Sequence, residues 1–77
     1  MNKEERRFLE RVGSRIRERR VAAGLTQAAL AERAGLHRTF IGSVERGERN
    51  VALLSLRRIA ASLRVPAADL LSLSEAE

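Results

Sequence analysis

His37 is the single histidine of the chain and there is no cysteine, so neither a zinc site nor a disulfide framework can be built from its own side chains. No acid–base pair or activated nucleophile stands out either. The groups left to do chemistry are cations: Lys and Arg number 15 against 10 Asp and Glu, giving a formal charge of +5 and an isoelectric point near 11.4. Such an excess on 77 residues makes a polyanion the natural partner, with nucleic acid the foremost of them. Phe8 and Phe40 are the whole aromatic complement, too few for the stacking platforms that hold single strands. Duplex DNA is the favoured form.

The elements that must carry these cations are helical, because apolar residues recur at three- and four-residue spacing and nothing alternates with period two over a useful length. Gly24, Gly35 and Gly47 each follow such a segment and suit the left-handed residue that closes a helix. Helices are expected at about 4–23, 26–34, 37–46, 53–63 and 66–72. Phe8, Leu9, Val12 and Ile16 form the stripe of the first, and one more turn brings that stripe to Arg20, which requires a carboxylate partner if it is buried. Thr26 and His37 stand at the cap positions of the second and third helices. In the fourth, Leu56, Ile59, Ala60 and Leu63 lie on one side, and Pro66 suits the first turn of the fifth. The expectation is one all-α, five-helix domain over residues 1–77, too small to enclose a catalytic pocket and helped in stability by a partner subunit.

Between about 27 and 46 the spacing carries more than helix periodicity. Gln27 stands at a helix start, Ala31 at a small contact position, Gly35 in the three-residue connection Gly35-Leu36-His37, and Ile41 and Val44 at inward positions of the next helix. Two helices joined so tightly can cross steeply only with small residues at their junction. With Gly24-Leu25-Thr26-Gln27 followed by Leu30-Ala31, this segment resembles the Cro and phage-repressor family of helix-turn-helix proteins, with a lambda-repressor-like fold implied over about residues 11–72. Arg38-Thr39-Phe40-Ile41, Val44-Glu45-Arg46-Gly47 and Arg49-Asn50 are similar to the controller proteins of restriction-modification systems.

The resemblance implies that the helix from Arg38 enters the major groove while the preceding helix crosses the backbone. Arg38 becomes the main base reader, since a guanidinium can bond guanine O6 and N7 together. Thr39 and Ser43 share its face, and Phe40 can meet a thymine methyl. Thr26 and Gln27 at a helix start, His37 at the turn, and Arg46, Arg49 and Asn50 in the following loop become phosphate contacts. Arg15, Arg17 and Arg19 are further cations within reach of a backbone. The family's arginine late in the first helix pairs with a glutamate late in the recognition helix, here Arg20 with Glu45, which supplies the carboxylate that Arg20 lacked.

This chain departs from the pattern in four places: His37 replaces a capping Asp, Ser or Thr, and Phe40 replaces the tyrosine of the controller group. Ala52 replaces a capping Ser, and Arg64 a glycine. One module reads too few base pairs to select a genomic site, so a homodimer on a near-palindromic operator is expected, with Val65, Leu70, Leu71 and Leu73 as candidate contact residues, some of which could equally fill the core of one protomer. The implied function is transcriptional regulation of its own operon and of an endonuclease gene. RNA polymerase is a further partner if binding activates, and Glu48, Arg57 and Arg58 are available to face it. The alternative is a protein-interaction module such as an antitoxin or adaptor, although the tail Ser74-Glu75-Ala76-Glu77 leaves little to wrap a toxin. An enzyme and a membrane-surface helix rank below both. No cofactor is expected. With no apolar run of spanning length and no apolar core in Met1-Asn2-Lys3-Glu4-Glu5-Arg6-Arg7 to mark a signal peptide, the expected location is the cytoplasm.

Overall fold

The computed structural model describes residues 1–73, so the tail Ser74 to Glu77 lies outside the described residues. Five helices follow one another: α1 (Lys3–Ala22), α2 (Gln27–Ala34), α3 (Arg38–Glu45), α4 (Leu53–Leu63) and α5 (Ala67–Leu71). No strand occurs among the described residues. The start of α1 is set by a capping box: Glu5 N donates to Asn2 Oδ1 at 2.8 Å and Asn2 N to Glu5 Oε1 at 2.9 Å, which satisfies two backbone donors that a helix start otherwise leaves open. Thr26 does the same for α2, its hydroxyl accepting from Ala29 N at 3.0 Å.

The other caps are weaker. His37 occupies the cap of α3, and Ala52 that of α4, with no side-chain hydrogen bond. Pro66 is the cap residue of α5 rather than a member of its first turn, because its ψ of 145° is still extended. Arg64 closes α4 in the left-handed region at φ 59°, the one non-glycine residue with positive φ among the described residues. An L side chain there costs about 1–2 kcal/mol, part of which glycine returns as backbone entropy in the unfolded chain. We expect Arg64→Gly to raise the stability by about 0.5–1 kcal/mol, visible as a higher thermal midpoint by circular dichroism. A lower midpoint would mean that the Arg64 side chain contributes more than its backbone costs.

The core is built from one face of each helix: Val12 and Ile16, Leu30 and Ala31, Ile41 and Val44, Leu56, Ile59, Ala60 and Leu63, and Leu70. α2 packs on α3 and α4, α1 on α3 and α5, and α4 on α5. Two readings of apolar residues need correction. Phe8 was placed on the core stripe but is 46% exposed, because the first turns of α1 overhang the core, which begins at Val12. Leu70 was placed in the dimer contact but is 0% exposed; it fills the base of the core within one protomer, so no surface of it remains for a second copy. Val65 and Leu73 are half-buried against the same core, while Leu71 stays exposed.

The position of α5 is fixed by charge as well as by Leu70. Arg15 donates from Nη2 to Asp69 Oδ1 and from Nε to the Asp69 carbonyl, both at 3.1 Å, and Arg19 lies 2.8 Å from Asp69 Oδ2. These two arginines therefore clasp α5 onto α1.

Candidate nucleic-acid interface

α2 and α3 form the helix-turn-helix, and its angle depends on the turn that joins them. Gly35 at φ 70° lets Leu36 N donate back to the Ala31 carbonyl at 2.9 Å, closing α2 in a Schellman arrangement. Ala31 and Ala34 are buried beneath it. The chain then restarts as a helix after only three residues, and Ile41 and Val44 of α3 reach the core.

α3 is pinned to α1 by two features. The first is an ion pair: Arg20 donates from Nε to Glu45 Oε2 at 2.7 Å and from Nη2 to Glu45 Oε1 at 3.0 Å, while its Nη1 donates to the Leu25 carbonyl at 2.8 Å. Both side chains are buried, and the hydrogen bonds that Arg20 donates to Glu45 raise the pKa of its guanidinium above the ordinary value. A buried pair of this kind contributes little net stability over an apolar pair, but a lone survivor is costly. The second feature is Gly13, in the middle of α1. An added Cβ there would lie 2.3 Å from the Val44 carbonyl oxygen and 2.6 Å from that of Glu45, so the backbones of α1 and α3 touch only because this residue has no side chain. The motifs of the sequence assign no role to Gly13; a glycine inside a strongly helical segment was the available signal.

On the opposite side α3 faces solvent. Arg38 and Thr39 are exposed at its first turn, and among the described residues no carboxylate pairs with Arg38. Phe40 is half-buried, and the Arg49 guanidinium lies over its ring at 5.1 Å from the centroid, a cation–π contact. Ser43 is half-buried, its hydroxyl donating to the Phe40 carbonyl at 2.9 Å. His37, Thr39, Phe40, Ser43 and Arg49 line one shallow depression. Ser55 of α4 joins them there; no motif in the chain pointed to it, since α4 approaches α3 only in the folded molecule. Asn50 is exposed beside Arg49.

Three side chains expected at phosphates are differently engaged. Thr26 spends its hydroxyl on the Ala29 amide. Gln27 donates from Nε2 to Glu45 Oε1 at 3.0 Å, which extends the Arg20–Glu45 pair across to α2. The first amides of α2 keep no intrahelical acceptor, and with the helix dipole they remain able to hold a phosphate. Arg46 is paired with Glu48 through two hydrogen bonds at 3.0 and 3.1 Å.

Comparison with known proteins agrees with this geometry. The family model described as Helix-turn-helix matches residues 16–70. Control protein C.SmaI of Serratia marcescens is 46% identical over 63 residues, covering 82% of this chain and 75% of that protein. Control protein C.BamHI of Bacillus amyloliquefaciens is 40% identical over 60 residues, covering 77% and 74%. The crystal structure of the restriction-modification controller protein C.AhdI from Aeromonas hydrophila superposes with a TM-score of 0.80 at 44% identity, over 80% of this chain and 94% of that one. With the motif, the five-helix fold and these relatives in agreement, the chain belongs to the helix-turn-helix family of transcription regulators, among the restriction-modification control proteins.

Proposed function

We propose that this protein is a sequence-specific regulator that binds double-stranded DNA as a homodimer in the cytoplasm, with no reaction of its own and no cofactor. Its targets are its own operon and a restriction-modification endonuclease gene, the role that the names of its relatives suggest. The observation that carries this reading is the exposed first turn of α3. Arg38 and Thr39 are exposed there, with no side-chain partner among the described residues, on a helix held to α1 and α2, on a chain of charge +5. Arg38 reads a base edge, Thr39, Phe40 and Ser43 lie beside it, and the α2 amides, His37, Arg49 and Asn50 hold the backbone.

The dimer reading finds support at the start of α4 instead of at Leu70. Leu53 is 77% exposed and Leu54 66%, and together with Val65 and Ala67 they line an apolar groove. Burying one such leucine is worth about 1.5–3 kcal/mol, which a second copy supplies on both sides of a two-fold axis. Leu71 is the other exposed leucine of the described residues. Two α3 helices would then meet a near-palindrome about 34 Å apart. In this reading a contact with RNA polymerase would fall to the exposed Arg58 of α4, since Arg57 lines the groove that the second copy covers.

The test is a gel-shift titration against the DNA immediately upstream of the gene, with an unrelated duplex as reference. Arg38→Ala is expected to reduce the preference for the upstream DNA by about 10- to 100-fold, the loss of one bidentate base contact, while weak binding to the unrelated duplex persists. Equal affinity of the unaltered protein for both duplexes would refute the operator reading.

A further inference from the structure

The loop after α3 holds two arginines on either side of one glutamate, and the fold treats them oppositely. Arg46 meets Glu48 fork to fork, Nε on Oε2 at 3.0 Å and Nη2 on Oε1 at 3.1 Å. That is the edge with which a guanidinium would grip a phosphate bidentately. Its remaining nitrogen, Nη1, is folded back over α3, so close to Gly42 that an added Cβ there would lie 3.3 Å from it. The backbone of Glu48 is held in place: its amide donates to the Ser43 carbonyl at 2.9 Å, after a left-handed turn at Gly47 with φ 76°, while its side chain stays half exposed. Gly47 in turn lies against α1, where an added Cβ would meet Glu10 at 2.6 Å. The hydrogen bonds from Arg46 hold the Glu48 carboxyl below its ordinary range, and Arg6 adds to this, so it stays ionised. Arg49 is held by its face alone, over the Phe40 ring. Stacking occupies no N–H group, and among the described residues no hydrogen bond or ion pair engages that guanidinium.

We propose that Glu48 is a restraint on DNA affinity, keeping Arg46 in an internal pair so that the loop delivers Arg49 alone to a phosphate. This rests on the DNA-binding reading of α3. A phosphate that took Arg46 would have to displace a carboxylate already in place, exchanging one anion for another with no net neutralisation. Because phosphate contacts carry no sequence information, the restraint lowers binding to every duplex alike and keeps the protein from being held across non-specific DNA.

Each phosphate neutralised adds about 0.9 to the slope of log affinity against log salt, so the proposal is read as a set of slopes. Fluorescence anisotropy with a labelled duplex of arbitrary sequence is measured between about 50 and 200 mM salt, with circular dichroism to check that each variant is folded. Arg49→Gln is expected to make the slope shallower by about one unit, whereas Arg46→Gln leaves it unchanged. Glu48→Gln makes it steeper by about one unit and tightens binding about threefold or more at the low-salt end. That gain disappears in the Arg46→Gln/Glu48→Gln double variant. The proposal is overturned if Arg46→Gln loses as much slope as Arg49→Gln, or if the Glu48→Gln gain survives in the double variant, which would make it simple charge repulsion. Failure of the unaltered protein to bind any duplex would instead remove the DNA-binding reading, and this proposal with it.

Discussion

Glu45→Ala is expected to destabilise the protein by about 3–5 kcal/mol, a large share of what a domain of this size possesses. The loss comes less from the ion pair itself than from what is left behind. Arg20 would remain in a site that leaves it 9% exposed, with two of its three hydrogen-bonded nitrogens deprived of an acceptor. Gln27 Nε2 would lose its acceptor as well. Replacing both charges, as in Arg20→Met/Glu45→Leu, is expected to recover most of the stability, since an apolar pair of similar volume removes the desolvation cost on both sides. Urea unfolding followed by far-ultraviolet circular dichroism measures both variants. A cost below about 1 kcal/mol for the single change, the range of exposed pairs, would show that water reaches Arg20 and that the pair does not hold α3 in place.

Gly13→Ala is the second large effect and acts on the same junction from the other side. A single methyl group would have to occupy space 2.3 Å from one carbonyl oxygen and 2.6 Å from the next, both of them backbone atoms of α3. No side-chain rotation can relieve that overlap, so α3 must move away from α1. We expect a loss of about 3 kcal/mol, at the upper end of the usual cost of overpacking, set against a gain of about 1 kcal/mol that alanine would bring to an unobstructed helix interior. The displacement also separates Arg20 from Glu45, so DNA affinity should fall in the fraction that stays folded. An increase in thermal midpoint would place the two helices farther apart than they are here.

Both predictions concern where α3 sits, and that is also where legibility in the sequence changes. The helices themselves were readable because helix periodicity and cap chemistry are local. Thr26 before Gln27, glycine at 24, 35 and 47, the stripe ending in Leu56, Ile59, Ala60 and Leu63, and Pro66 placed all five elements to within one residue at each end. The Arg20–Glu45 contact was accessible by a different route: an arginine on an apolar stripe demanded a carboxylate, and the family resemblance named one.

Burial at the ends of elements was not readable. Phe8 and Leu70 both sit at helical spacing from core residues, yet one is exposed and the other is sealed, because the periodicity says which face a residue shares and not whether another helix covers that turn. Nor could the sequence show how the cations are spent. Arg15 and Arg19 meet Asp69 fifty or more positions away, Arg46 turns onto Glu48, and Arg49 stacks on Phe40. The sequence by itself determined through its composition that the chain is basic and through its periodicity that it is helical, while the spacing from Gln27 to Val44, with the family resemblance, pointed to a helix-turn-helix. Only the tertiary structure decided which arginines are free to meet a phosphate, because side-chain pairing depends on distances between elements, and those are set by how the five helices pack.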